Sequence, residues 1–578
     1  MSLFVTSRRF CRSLLAVAML LFLALYLHLT FTLYERFAYN SFDLGIFHQA
    51  VWLISQGETP FVTVRGVHVL GDHFSALLYL LAPLYRLSPS PKNLLFLQTC
   101  ALTLGAIPAY ALARKRLQSE TCGLLFGLVY LLHPAHQWSI TYEFHPDTFG
   151  TPFLLTALYA LEAKRFRLYA IALVLLALIK ESAGLTVACV GLWAFFKGTN
   201  LSSLRYCLKS RSDALLLSTQ EHETMSDRRH FRTTGGITVA FGILMLGVSM
   251  LIIQHFNQGQ PSPYFDLFRH FGSSPEEIAR NFAHQPLRFL KDILSPGCLD
   301  YFRQLIMPLC FLPLLAPEAA CLALPMLLVN IMASRPGMHG IEEHYNAFIT
   351  PFLFLGTVIG FERLQHWGWF SRWAIRLNLP LWAITGIFAG PLVRPVDTLY
   401  STQPCVPAIR ECSEAVSLIP EDASVSAQFA LGAHLSRRRE IYTFPNPFVQ
   451  IAYGGTHQAL SEVDHVGGTH LAKKLPVTLF TQTRRQAAEY IVLCPLSSMY
   501  PLSDESYHGL VIALLQSRCY ETRYVGRYVM ILQRTPSKQA QLTQLAAQTG
   551  KSTQTPEQID IAYWHWLQGQ YIPNGVTP

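Results

Sequence analysis

Charge is what this sequence has least of. Asp, Glu, Lys and Arg make up 14% of its 578 residues, against 51% hydrophobic ones. An average soluble chain carries roughly 25% charge, so the composition excludes an ordinary soluble domain and predicts a polytopic membrane protein. Acidic residues are the scarcer sign, 36 against 45 basic, for a net charge of +9. No basic–aromatic array tracks a nucleic-acid backbone, so the surplus reads as topology-setting Lys and Arg and nucleic acid is not an expected partner. The twelve cysteines contain no C-x-x-C pair. Cys100, Cys189, Cys310 and Cys321 sit inside apolar runs, as small core or lipid-facing residues and not as a zinc site or disulfide framework. Cys405 with Cys412, or Cys494 with Cys519, are pairings open to an extracytoplasmic domain. P-loop, G-x-S-x-G and H-E-x-x-H motifs are missing, and so is any internal repeat.

Long apolar runs are what the chain has instead. Arg8, Arg9 and Arg12 precede a run from Leu14 to about Leu33 that is long enough for roughly 30 Å of hydrocarbon. No small-residue cleavage site comes before Glu35, so this is a retained first span. Basic flanks then set the order, with the N-terminus cytoplasmic. Residues 34–92 form a first external loop with surface helices. Spans follow at about Asn93–Leu112, ending on Arg114-Lys115-Arg116, then Cys122–Trp138 and Phe149–Leu161, ending on Lys164–Arg167. Lys180-Glu181-Ser182 interrupts the block Leu168–Phe196. Basic residues on both flanks predict two short helices meeting at the external face, in preference to one span with a buried ion pair. Residues 197–234 read as a cytoplasmic loop and Ile237–Ile253 as an outward span. The stretch His255–Gln304 is external and contains a helix start at Ser274-Pro275-Glu276-Glu277. Leu305–Leu315, Ala319–Met332, Phe348–Phe361 and Leu379–Val393 complete about eleven spans.

From about Arg394 the apolar runs shrink to strand length, at Ala423–Ala427, Ile441–Phe444, Tyr490–Leu493 and Tyr524–Leu532, and alternate with helical patterns. The predicted architecture is a polytopic α-helical membrane domain over residues 1–393 and an extracytoplasmic α/β domain over 394–535. A Gln/Thr-rich tail over 536–578 follows, in which Ile561–Trp566 is a candidate to dock.

The candidate chemistry lies at the ends of these runs. In Tyr39–Trp52, Leu44, Phe47, Val51 and Ile54 recur at helical spacing, which predicts a helix lying along a membrane surface. Asp43 stands at its start, either as the N-cap or as a functional acid. The ionisable residues without an inside-loop role are Asp43, Asp72, His73, Glu143, His145, Asp147, Lys180, Glu181, Glu343 and His344, and all fall on the external side. Such groups are costly to dehydrate and tend to face a cavity and one another. Each also has a plainer reading. His73 anchors a helix at the headgroups. Glu143, His145 and Asp147 build a hydrogen-bonded turn, or else hold a divalent metal. Lys180 and Glu181 are a paired charge at a hairpin tip, or Lys180 is a point charge for a phosphate. His344 and Tyr345 are interfacial anchors.

Read in order, FDLGIFHQAVW, GDHFSALLYLLAPLY, EFHPD, KESAGL, GSSPEEI with HQPLRFL, and IEEHYNAFI resemble a family of multi-spanning bacterial and archaeal membrane proteins, a numbered domain of unknown function. The resemblance runs from about residue 38 to about residue 535. That family is in turn remotely similar to the GT-C glycosyltransferases, among them protein mannosyltransferases and aminoarabinose transferases. The shared features are a long first external loop with an acid near its start, a short helix pair with a Lys near the external face, and a soluble C-terminal domain. Where the GT-C pattern often has two adjacent acids, this chain has Phe42-Asp43. The resemblance implies inverting transfer of a hexose or pentose from a polyprenyl-phosphate donor at the outer face of a bacterial inner membrane. In that scheme Asp43 is the catalytic base, and His73, Lys180, Glu181, His344 and Tyr345 bind donor phosphate or substrate. Glu143, His145 and Asp147 line the acceptor side or hold a divalent cation. Two other readings stand beside it: a transporter or flippase of a lipid-linked or polar solute, and a non-catalytic assembly or sensor protein. Sugar, carrier, acceptor, metal requirement and oligomeric state are left open.

Overall fold

An apolar run that must satisfy its own backbone in lipid does so as a helix. Among the residues that the computed structural model describes, three helices are long and apolar enough to cross a membrane: Arg8–Glu35, Pro91–Leu117 and Ser226–Phe256. The structure describes residues 7–199, 225–257, 259, 262–272, 274–365, 388–391, 394, 406–448, 488–494, 502, 504–516 and 519–535. Most of the predicted 197–234 loop, most of the predicted Leu379–Val393 span, Cys405 and the 536–578 tail lie outside these residues. The chain divides into two compact units.

The first unit takes Met1–Leu27, His73–Leu77 and Leu97–Val393. Leu168–Phe196 is not one span. Helices Phe166–Ala177 and Ala183–Lys197 flank a break at Leu178–Ser182. The second returns to the end from which the first started, because Lys197 pairs with Glu162 at 2.7 Å, just before the first helix begins. Lys197 and Glu162 belong to a larger ionic layer, in which Arg116 bridges Glu162 at 3.1 Å and Glu362 at 2.8 Å. Helices Gly150–Glu162, Ala183–Lys197 and Thr350–Gln365 all end on this layer.

Ala183–Lys197 packs against Met225–Phe256 through glycines seven residues apart, Gly184 and Gly191 on one helix and Gly235 and Gly242 on the other. A Cβ at Gly191 would lie 2.6 Å from the Val239 nitrogen, and one at Gly242 would lie 2.6 Å from the Ala188 nitrogen. Small residues let the two backbones touch, which is how apolar helices associate when lipid removes the hydrophobic drive.

Two predicted spans differ in detail. Cys122–Trp138 divides into helices Glu120–Leu132 and Pro134–Thr141, because Pro134 cannot donate into the preceding helix. Leu305–Leu315 is not a continuous helix. It breaks into short 3-10 turns at Met307–Leu309 and Leu312–Leu315 around Pro308 and Pro313, with Cys310 and Phe311 at φ of 53° and 56°. Ser274 caps the Pro275–His284 helix as its sequence predicts, accepting from the Glu277 N–H at 3.2 Å.

The second unit gathers His28–Asp72 and Leu78–Phe96 with the chain from Arg394 onward. Strands β1 (Phe61–Val62) and β2 (Val67–His68) form a small antiparallel pair. Strands β3 (Val425–Ala427), β4 (Ile441–Thr443), β5 (Tyr490–Leu493), β6 (Tyr520–Val525) and β7 (Met530–Arg534) make a mixed sheet in the order β4-β3-β5-β7-β6. The predicted Tyr524–Leu532 strand is in fact the turn of the β6–β7 hairpin with its flanks. Tyr442, Ile491, Leu493, Tyr507, Leu510 and Leu532 are buried in the core of this fold. The Cys412 sulfur lies 3.7 Å from that of Cys494. The first-loop segment docks onto this fold. Gln49 Nε2 donates to Thr63 Oγ1 and to the Arg439 carbonyl, each at 3.0 Å. Thr63 Oγ1 donates to the Ile441 carbonyl at 2.5 Å and accepts from its N–H at 2.9 Å.

Candidate functional site

The polar residues of the first unit gather at the opposite ends of the helices from the Arg116 layer. Asp147 lies in the 3-10 turn Pro146–Phe149 that feeds helix Gly150–Glu162. Lys180 and Glu181 occupy the break before Ala183–Lys197, and His344 opens the turn His344–Asn346 ahead of Thr350–Gln365. Each helix therefore runs from one polar cluster to the other. Gly150–Glu162 has 13 residues, a length of about 20 Å, and is shorter than the hydrocarbon of a bilayer.

Asp147 is the hub. Its Oδ2 accepts from Lys180 Nζ at 3.1 Å, and its Oδ1 lies 3.2 Å from His145 Nδ1. His344 Nε2 stands 3.8 Å from Oδ2. The rings of His145 and His344 stack face to face, with centroids 3.4 Å apart and planes 7° from parallel. Tyr345 places its ring 5.9 Å from the Lys180 ammonium. All of these lie in buried or nearly buried surroundings. Burial alone would raise the Asp147 carboxyl, but the Lys180 ammonium, with His145 and His344, overrides it and holds the group well below the usual carboxylate range. Burial pushes His344 well below the ordinary imidazole range, and the neighbouring His145 adds to the shift.

A second pair sits beside the break. His73 Nδ1 lies 2.9 Å from Glu181 Oε1, and the Phe74 N–H donates to Glu181 Oε2 at 3.2 Å. The His73 ring stacks on Tyr264 with centroids 4.0 Å apart. Glu181 is held below its usual range: burial acts to raise it, and His73 followed by Lys180 outweighs that.

The structure thus brings His145, Asp147, Lys180, His344 and Tyr345 together, and joins His73 to Glu181. Glu143 is buried but is not one of the three residues whose ligand atoms converge; its backbone carbonyl accepts from Gln98 at 3.3 Å. Those three are His145, Asp147 and His344, with one ligand atom from each within 4.8 Å of the others. Glu343 pairs with Arg335 at 3.0 Å. Asp72 belongs to the second unit, where Arg65 holds it at 2.7 Å.

Asp43 also belongs to the second unit and is not the N-cap of the surface helix. Asn40 caps the preceding turn by accepting from the Phe42 N–H at 2.8 Å, and Gly45 precedes helix Ile46–Ser55 with no side-chain cap. Asp43 has φ 45° and ψ −87°, a conformation that L residues rarely adopt. Among the described residues its carboxylate has no hydrogen-bond or ion-pair partner.

Gln98 is a supporting position that the sequence does not single out. Its Oε1 accepts from the His145 N–H at 2.9 Å and from Thr148 Oγ1 at 3.3 Å, and its Nε2 donates to the Ser139 carbonyl at 3.0 Å. A wholly buried amide inside an apolar run was the available signal, because such a group must find partners.

A comparison with curated proteins finds no match. Among solved structures the chain is similar to ArnT from Cupriavidus metallidurans, a crystal structure bound to undecaprenyl phosphate. The identity is 12% and the TM-score 0.43, over 90% of this chain and 98% of that one. Residues 33–458 match the family described as "Predicted membrane protein (DUF2079)", and the chain belongs to that family.

Proposed function

We propose that this protein is a membrane transferase of GT-C-like architecture that moves a sugar from a polyprenyl-phosphate donor to an acceptor, with inversion, on the extracytoplasmic side. The observation that carries the reading is the Lys180 ammonium, buried with Asp147 as its counter-charge and set beside His344 and Tyr345 at the ends of apolar helices. A cation at such a place is expensive to keep and marks a site of function. An ammonium is a compact charge with three donors, suited to phosphate oxygens. As the bond from the sugar carbon to the phosphate oxygen breaks, negative charge grows on the phosphate, and a preorganised Lys180 with His73 meets it. Glu181 orients His73 for this task. The acceptor hydroxyl forms the new bond to the sugar carbon and gives its proton to a base, for which Asp43 is the candidate. Holding a side chain at a rare backbone conformation costs about 1–3 kcal/mol, and such strain clusters at functional sites.

The test is purified protein against a panel of polyprenyl-phosphate sugars, with release of polyprenyl phosphate as the readout. The expected result is release by the native chain and its loss in Asp43→Asn, with insertion unchanged. Asn tolerates a positive φ, so the exchange tests the charge and not the backbone. Undiminished transfer by Asp43→Asn removes Asp43 from the mechanism, and an inactive native chain across the panel overturns the donor class. A second reading, transport of a lipid-linked solute, is favoured by one observation: Lys180 and Glu181 lie in a break between helices, as substrate sites in transporters do. Movement of intact donor across liposomes without cleavage would replace transfer by that reading.

A further inference from the structure

We propose that His145, Asp147 and His344 form a binding site for a divalent transition-metal ion of the zinc class. Their ligand atoms already converge within 4.8 Å, and the three come from two distant parts of the chain. His344 is 2% exposed, and among the described residues neither of its ring nitrogens has a hydrogen-bond partner; Asp147 Oδ1 is likewise buried without one. A neutral imidazole carries one N–H and one lone pair, and a buried group left idle is destabilising. The two imidazole rings stack 3.4 Å apart over one carboxylate, with His145 Nδ1 3.2 Å from Asp147 Oδ1 and His344 Nε2 3.8 Å from Oδ2.

Asp147 divides its two oxygens. Oδ2 serves Lys180, while Oδ1 lies 3.2 Å from His145 Nδ1 without the alignment of a hydrogen bond. The His145 Nδ1 atom accepts from the Asp147 N–H at 3.4 Å, a long bond that a cation at the same lone pair would replace. Two acceptors thus face one another, and a cation reconciles them. Two imidazoles and one carboxylate suit zinc or a related first-row ion and not magnesium or calcium, and three protein ligands leave a position open. Gln98 supplies the supporting layer by fixing the His145 backbone at 2.9 Å.

This assignment does not depend on the transfer proposed above, because metal content and transfer are read separately. The experiment loads the full-length protein in detergent with Zn(II) or Co(II) after removing adventitious ions with a chelator. Metal is counted by plasma mass spectrometry, and the Co(II) visible spectrum is recorded. One ion per chain is expected, with a tetrahedral-type or five-coordinate Co(II) spectrum. Affinity should fall at least about 100-fold in His344→Ala and His145→Ala, as loss of a direct ligand exceeds the 10–100-fold cost of outer-layer changes. Asp300→Asn, at an exposed position, should bind as the native chain does. Should the histidine variants fail to fold, the native spectrum and a chelator-induced drop in melting temperature restored by Zn(II) carry the test. Failure of the native chain to take up either ion, or uptake that His344→Ala leaves unchanged, overturns the proposal.

Discussion

A buried charge is stabilised only through its partner, and Lys180 with Asp147 makes that dependence measurable. Asp147→Asn leaves the ammonium without its counter-charge and is expected to cost about 3–5 kcal/mol, read as a lower melting temperature. The double variant Lys180→Met with Asp147→Asn should recover most of the loss, since no lone charge is left. Equal losses in the single and double variants would contradict the pairing. A different residue-scale effect governs the second unit. His434 lies between the rings of Tyr34 and Phe37, and its Nε2 faces the Tyr34 carbonyl at 2.9 Å. Burial holds it at about 3, and burial followed by the nearby Arg437 holds His48 at about 3 as well. The unfolded chain takes up these protons near pH ~6.5, long before the folded one does. Stability is therefore whole above that pH and falls as the pH drops through it toward about 3, by about 1.4 kcal/mol per histidine per pH unit. Melting temperatures at pH 7.5 and 5.5 should show this fall, with a shallower slope in His434→Gln; an unchanged slope would clear His434 of the effect.

At the scale of elements, the Ala183–Lys197 and Met225–Phe256 helices depend on backbone contact at their glycines. Gly191→Leu must push the helices apart or distort them and is expected to cost about 1–3 kcal/mol or more. On the same helix but away from the contact, a Cβ at Gly236 meets nothing within 4 Å. Gly236→Ala should be neutral, or stabilising by up to about 1 kcal/mol through helix propensity. Thermal unfolding of both in detergent tests the idea, and equal effects would argue against close packing. Lys180 is placed by the short pair Phe166–Ala177 and Ala183–Lys197, because the break between them carries it to the end opposite Lys197. Two breaks in the predicted spans, at Pro134 and around Pro308 and Pro313, follow from proline's missing N–H.

At the scale of the whole chain, three helices join two layers of ionisable residues, Arg116, Glu162, Lys197 and Glu362 at one end and Asp147, Lys180 and His344 at the other. Positive residues favour the cytoplasmic side, so the Arg116 layer should face inward and the Lys180 layer outward. A cysteine placed at Gln118 should react with an impermeant maleimide only in inside-out vesicles, while alkaline phosphatase fused to the C-terminus should be active in cells. Labelling of Gln118→Cys from outside would invert the topology.

The membrane class, the apolar runs and the short helix pair follow from composition and spacing, since hydrophobic length and basic flanks act locally along the chain. FDLGIFHQAVW and the motifs after it carry enough pattern to place the chain in its family. The candidate site was legible only in part. That Lys180, Asp147 and His145 belong to one region could be argued from their shared side of the membrane, but His344 facing Asp147 could not. Nor could Gln98 fixing His145, or the docking of Gln49 and Thr63 onto strands near residue 440. Those contacts join segments from 47 to 390 residues apart, and which buried donor meets which acceptor is decided only when packing closes the space around them.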